Sequence, residues 1–68
     1  MAMQTLEARW HNTEEWIEVD WVSNFGEATV AAKAFQLDRN VTAAILWTDH
    51  EGKRWGHSKW CTFRLTPV

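Results

Sequence analysis

Two stretches near the start of the chain alternate apolar and polar side chains. From Thr5 to His11, Leu6, Ala8 and Trp10 interleave with Glu7, Arg9 and His11; from Trp16 to Val22, Ile17, Val19 and Trp21 interleave with Glu18 and Asp20. Alternation of period two marks a half-buried strand, because successive side chains point to opposite faces of a sheet. Asn12-Thr13-Glu14-Glu15 between them reads as a polar four-residue turn. Closing the hairpin on that turn sets Trp10 opposite Ile17, Ala8 opposite Val19 and Leu6 opposite Trp21, with Arg9 facing Glu18 on the reverse side. A slip of one residue undoes all of these pairs, so the pattern specifies this register.

The period then changes. Asn24 and Glu27 have the spacing of a capping box, in which the N-cap side chain takes an orphan amide and the carboxylate reaches back. Ala28, Ala31, Ala32 and Phe35, with Phe25 at the start, line one face of a helix, while Thr29, Lys33 and Gln36 lie opposite. Alanine lets such a helix approach a sheet closely, with Phe35 as its main anchor. Asp38-Arg39-Asn40 ends it, with Asn40 placed to act as a left-handed cap.

Val41 to Asp49 is apolar on both sides of the alternation, which predicts a central strand. Asp49-His50-Glu51-Gly52 follows as a tight turn; a type I turn with a bulge pairs Asp49 with Lys53 and Trp47 with Trp55. Gly56 to Lys59 reads as a second turn and Trp60 to Thr66 as the last strand. Two registers fit this final hairpin. One sets Cys61 opposite Trp55 and is preferred because it buries Phe63 and Leu65; the other sets Trp60 opposite Trp55 and stacks both with Trp47. The elements predict a single domain over residues 1–68 of the α+β class. It has two layers: an antiparallel sheet in the order ββαβββ with one helix packed on one face. The other face then carries Arg9, His11, Trp16, Glu18, Thr48, Arg54, Trp60 and Arg64.

Composition sharpens this picture. At 68 residues, folding buries only about 60% of the unfolded chain's surface, so the core is thin. Six tryptophans and no tyrosine supply large rigid rings that a short chain needs for burial, and the same rings are enriched at binding hot spots. With one cysteine, Cys61, no internal disulfide can form, which argues against a secreted, cross-linked mini-protein. No apolar run approaches membrane length and no basic-then-apolar leader is evident, so the expected compartment is the cytoplasm, with no membrane contact. The net charge of −2 is the reverse of the basic surplus that phosphate binding favours, and tilts the expectation towards a protein partner.

Candidate chemistry is sparse. A nucleophile and base could come from Cys61 with His57 or His50, but alternation turns Cys61 into the core, where a thiol behaves as a small hydrophobe. His11, Asp49, His50, His57 and Cys61 match no zinc-ligand spacing. Glu7, Glu14, Glu15, Glu18 and Asp20 read as solvated charge, since no pocket separates their pKa values. Phe25-Gly26-Glu27 is better explained by the capping box than as an anion site, because Glu27 would repel the anion. No enzymatic activity, cofactor or metal is expected. Arg54-Trp55 and Lys59-Trp60 are basic–aromatic pairs of the kind that stack single-stranded nucleic acid.

The run WIEVDWVSNFGEATVAAKAF at Trp16–Phe35, preceded by its hairpin partner and followed by a strand, resembles small phage-encoded inhibitors. These include host RNA polymerase inhibitors of T7-like phages and some anti-CRISPR proteins. The likeness lies in size and in the order hairpin, capped alanine-rich helix, strand. It implies a non-enzymatic inhibitor that occludes a surface of a larger bacterial machine, and no functional residue is carried over from it. The resulting expectation is an interaction protein that docks on a bacterial protein or complex through the open sheet face and hairpin tips. Trp16 and Trp60 would be its apolar anchors, with Arg9, Arg54, Lys59 and Arg64 orienting the contact. Two alternatives stand beside it: a nucleic-acid-binding module stacking bases on Trp55 and Trp60, and a homodimer closed through the open face.

Overall fold

A computed structural model, describing residues 3–68, arranges the chain as β1 (Gln4–Trp10), β2 (Ile17–Val22), α1 (Phe25–Leu37), β3 (Leu46–His50), β4 (Lys53–His57) and β5 (Cys61–Pro67). The five strands form one antiparallel sheet in the spatial order β2-β1-β5-β4-β3, with α1 packed on one face. This is the expected α+β domain with its ββαβββ order. Its centre is the last strand: β5 pairs with β1 through Leu6↔Leu65, Ala8↔Phe63 and Trp10↔Cys61. Leu6, Ala8, Cys61, Phe63 and Leu65 are buried beneath the helix together with Ala28, Ala32 and Phe35.

The helix forms where capping and periodicity place it. Asn24 Oδ1 accepts the Glu27 amide at 2.8 Å, and the Glu27 carboxylate reaches back to accept both the amide and the hydroxyl of Ser23 at 2.7 and 2.8 Å. Asn40 ends the turn after the helix in a left-handed conformation (φ 59°), as expected of that residue type. From the helix a chain of rings crosses the core. Trp10 stacks on Phe35 with centroids 5.5 Å apart, Phe35 meets Phe63 edge-on at 5.8 Å, and Trp47 lies 6.2 Å from Phe63 and 5.2 Å from Phe25. Aromatic pairs in these offset and edge-to-face geometries gain about 0.5–1.5 kcal/mol beyond their buried area.

Four expectations are corrected. The first hairpin pairs Ala8 with Ile17 and Glu7 with Glu18, then, after a bulge, Leu6 with Asp20 and Thr5 with Trp21. Arg9 therefore faces Thr62 rather than Glu18 and donates to the Thr13 carbonyl at 2.8 Å. The cause is the central strand. β1 is held along its length by β5, and the His11 amide continues that pairing by donating to the Trp60 carbonyl at 3.0 Å. The bulge leaves Val19 as the extra residue, so Val19 and Val22 both reach the core side.

The second correction concerns Val41 to Asp49. Only Leu46–His50 is a strand, and it lies at the edge of the sheet instead of its centre. The preceding residues are apolar because they lie over the core as an irregular segment, with Ile45 packed against it. Gln36 holds this segment: its carbonyl accepts the Val41 amide at 2.8 Å and its side-chain amide donates to the Ala43 carbonyl at 2.9 Å. Gln36 is only 2% exposed, not on the solvent side of the helix.

Third, the β3–β4 turn has two central residues, Glu51 (φ 53°) and Gly52 (φ 79°), both left-handed as a type I′ hairpin requires. His50 pairs with Lys53, Thr48 with Trp55, and Trp47 with Gly56. The shift of one residue turns β4 over, putting Trp55 on the open face and Arg54 and Gly56 on the helix side. Fourth, β4 meets β5 through Trp55↔Arg64, Gly56↔Phe63 and His57↔Thr62, which is neither expected register. The intervening loop closes when the Ser58 amide donates to the Cys61 carbonyl at 3.0 Å, and the Ser58 hydroxyl accepts the Cys61 amide at 3.2 Å. Phe63 and Leu65 remain buried as anticipated.

Candidate functional site

The registers place Glu7 and Arg9 of β1, Thr62 and Arg64 of β5, Trp55 and His57 of β4, and Thr48 of β3 on the face turned away from the helix. Trp16, in the turn before β2, folds over the middle of that face. The Arg64 guanidinium lies 4.0 Å from the Trp16 ring centroid and that of Arg9 lies 5.7 Å from it. Trp55 approaches Trp16 edge-on, with centroids 6.1 Å apart. A cation over an indole face is held by the ring's quadrupole, and the planar guanidinium adds stacking.

Arg64 is anchored from the strand beside it. Its Nε donates to Glu7 Oε1 at 2.8 Å, and the Thr66 hydroxyl donates to the same oxygen at 3.3 Å. The Arg64 hydrogen bond holds the Glu7 carboxyl below the usual carboxylate range against the opposing effect of burial, with the Arg64 charge, Thr66 and Lys53 adding to it. This anchoring also offsets the like charge of Glu18, which the register sets opposite Glu7. Two histidines flank the cluster: His57 Nε2 and the Thr48 hydroxyl are 3.4 Å apart, and His11 Nε2 and the Thr62 hydroxyl 3.2 Å. The Trp55 indole N–H donates to the His50 carbonyl at 3.4 Å, which fixes that ring as well.

The six residues expected to form the contact surface separate into three groups. Arg9, Trp16 and Arg64 come together at the cluster. Lys59 and Trp60 lie in the β4–β5 loop at one end of the sheet, with the ammonium 5.2 Å from the indole centroid and Trp60 51% exposed. A shallow hollow there is lined by Trp10, His11, Asn12 and Val41 as well. Arg54 is on the helix side, where its Nε donates to Asp49 at 2.9 Å and its guanidinium covers Phe25 at 4.2 Å. Trp55, expected in the core, is part of the open face instead. Reading Glu51-Gly52 as the two central residues of a type I′ turn is the sequence signal that places it there.

Cys61 and His57 are not brought together: Cys61 is buried on the helix side, whereas His57 is exposed on the open face. Burial pushes the Cys61 thiol up, and the Ser58 hydrogen bond and the Arg39 charge only partly counter it. Among the described residues no three His, Cys, Asp or Glu side chains gather in an arrangement that could hold a metal ion. No helix among them is long and apolar enough to cross a membrane. No protein family, curated protein or solved structure matches the chain.

Proposed function

We propose that the chain is a non-enzymatic, cytoplasmic interaction protein that docks through its open sheet face on a partner protein. In the manner of a phage or mobile-element inhibitor, it would occlude a surface of a bacterial protein complex. The observation that carries this reading is the cluster of Trp16, Arg64 and Trp55, with half-buried rings on a face the helix does not cover. Tryptophan and arginine dominate the energetics of protein interfaces, chiefly when fixed before the partner arrives. Here Glu7 fixes Arg64, Arg64 supports Trp16, and the His50 carbonyl fixes Trp55. Arg9 and the exposed His11 and His57 form a polar rim, and Lys59 with Trp60 extends the surface at one end of the sheet. Arg54 drops out of the anchor set because its register puts it on the helix side, over Phe25.

Glu7 also bears on the class of partner. The central arginine is already neutralised, whereas a phosphate backbone is best met by free cations. A nucleic-acid reading keeps one specific support, the position of Trp55 beside Trp16, since exposed rings can stack bases at about 1–3 kcal/mol each. Capture from bacterial lysate on tagged protein, with and without nuclease, separates the two. A stoichiometric protein retained after nuclease by the native chain, and lost by a folded Trp16→Ala/Trp55→Ala variant, is the expected result. Material that disappears with nuclease moves the nucleic-acid reading to the front. Equal capture by the variant overturns the role of the open face.

A further inference from the structure

The opposite flank of the molecule carries a second surface of different chemistry. Between β2 and α1 runs a groove whose floor is Val19, Ala31 and Ala34 and whose walls include Trp21 and Val30, 49% and 68% exposed. Its two hollows share Asp20, Ala31 and Ala34, so it is continuous from Gly26 to Asp38, about 18 Å at the rise of a helix. Asp20, Glu27 and Asp38 rim it. The one cation among its described lining residues is Arg39, whose guanidinium is committed to the Phe35 ring at 3.9 Å and to the Phe35 carbonyl at 3.2 Å.

We infer that this groove docks a Lys/Arg-rich amphipathic segment of a protein partner, with one or two apolar side chains seated against Trp21 and Val30. Charge complementarity selects the occupant. Three carboxylates around an apolar floor repel an acidic segment and a second copy of this acidic rim, and they leave a purely apolar segment with poorly hydrated charges at its edges. The segment enters by its side chains rather than as an added strand. The Trp21 amide is already taken by the Asp20 carboxylate at 2.8 Å, and the bulge at Val19 breaks the regularity of the β2 edge. The length of the groove fits about twelve helical residues, a helix-in-groove mode of recognition.

A fluorescein-labelled peptide of about twelve residues, with leucine at i, i+3, i+4 and lysine elsewhere, is the probe, and its counterpart with glutamate in place of lysine is the control. The lysine peptide is expected to bind and to move the Trp21 indole and the backbone amides of residues 17–22 and 26–38 in a ¹⁵N correlation spectrum. Asp38→Lys and Val30→Lys, both at exposed positions, should each weaken binding several-fold and together about tenfold at low salt, in line with modest surface charge pairs. Binding should survive in Trp16→Ala/Trp55→Ala, so failure here and failure of the open-face reading are separate results. No binding, equal binding of the glutamate peptide, shifts confined to the Trp16 and Trp55 indoles, or indifference to both lysine substitutions would each overturn the inference.

Discussion

Gly56 is a glycine for want of space. A methyl group placed on it would lie 2.8 Å from Trp47 Cζ3 and 3.0 Å from both Trp47 Cε3 and Ile45 Cγ2. Trp47 cannot retreat freely, because it is wedged between Phe25 at 5.2 Å and Phe63 at 6.2 Å. Gly56→Ala therefore forces a displacement within the ring chain, and overpacking of this kind costs about 1–3 kcal/mol. Alanine returns some of that through lower backbone entropy in the unfolded chain, about 0.5–1 kcal/mol, leaving a net destabilisation centred on about 1 kcal/mol. In a domain of this size that lowers Tm by about 4–8 °C. Thermal unfolding followed by circular dichroism measures it, and Trp47→Leu in the same chain should recover part of the loss by vacating the space. Gly52→Ala is the contrasting case. Nothing lies within 4 Å of the added carbon, so its cost of about 1 kcal/mol comes from the left-handed backbone alone and Trp47→Leu should not relieve it. A Gly56→Ala protein as stable as the native one would refute the packing of Trp47 over β4.

Glu7→Gln removes the charge that anchors Arg64 and should cost about 1–2 kcal/mol at pH 7, a typical loss for a partly buried charge-assisted hydrogen bond. Because the folded-state pKa of Glu7 is lowered, chiefly by its hydrogen bond from Arg64, its contribution is complete above the ordinary carboxylate value of about 4.3. It is lost as pH falls through the lowered value. Denaturant titrations should accordingly show the native protein and the Glu7→Gln variant converging on acidification; a constant difference across that range would count against the assignment. Cys61 should react with iodoacetamide on the order of 100-fold more slowly in the folded chain than in denaturant, because the thiol is reached only by opening. His57→Ala should not alter that rate, and a fast native reaction would contradict the placement of Cys61 under the helix.

The elements of this fold are legible wherever local chemistry decides them. Asn24 and Glu27 announce the helix start, alanine spacing its buried face, and alternation the strands at Leu6–Trp10 and Cys61–Leu65. Registers are less legible, because each depends on contacts distant in sequence. Alternation alone sets Leu6 opposite Trp21. With β5 between β1 and β4 holding β1 in place, the hairpin closes with Leu6 opposite Asp20 instead. Gln36 reads as a surface residue because its partners, Ala43 and Val41, lie in a segment whose path is set by tertiary packing. The candidate site follows the same division. Alternation suffices to put Trp16, Arg9 and Arg64 on one face, whereas Trp55 and Arg54 exchange faces through one residue of turn geometry at Glu51-Gly52.

The affinity of a captured partner for the open face tests the central claim most directly. Calorimetric titration of that partner with the native chain and with folded Trp16→Ala, Trp55→Ala and Arg64→Ala variants should show at least one loss of about 2 kcal/mol, or roughly 30-fold in Kd, as expected of a hot-spot residue. Asp38→Lys, on the helix side and outside the cluster, should bind that partner with little change. Native affinity in all three cluster variants would contradict the assignment of this face as the docking surface.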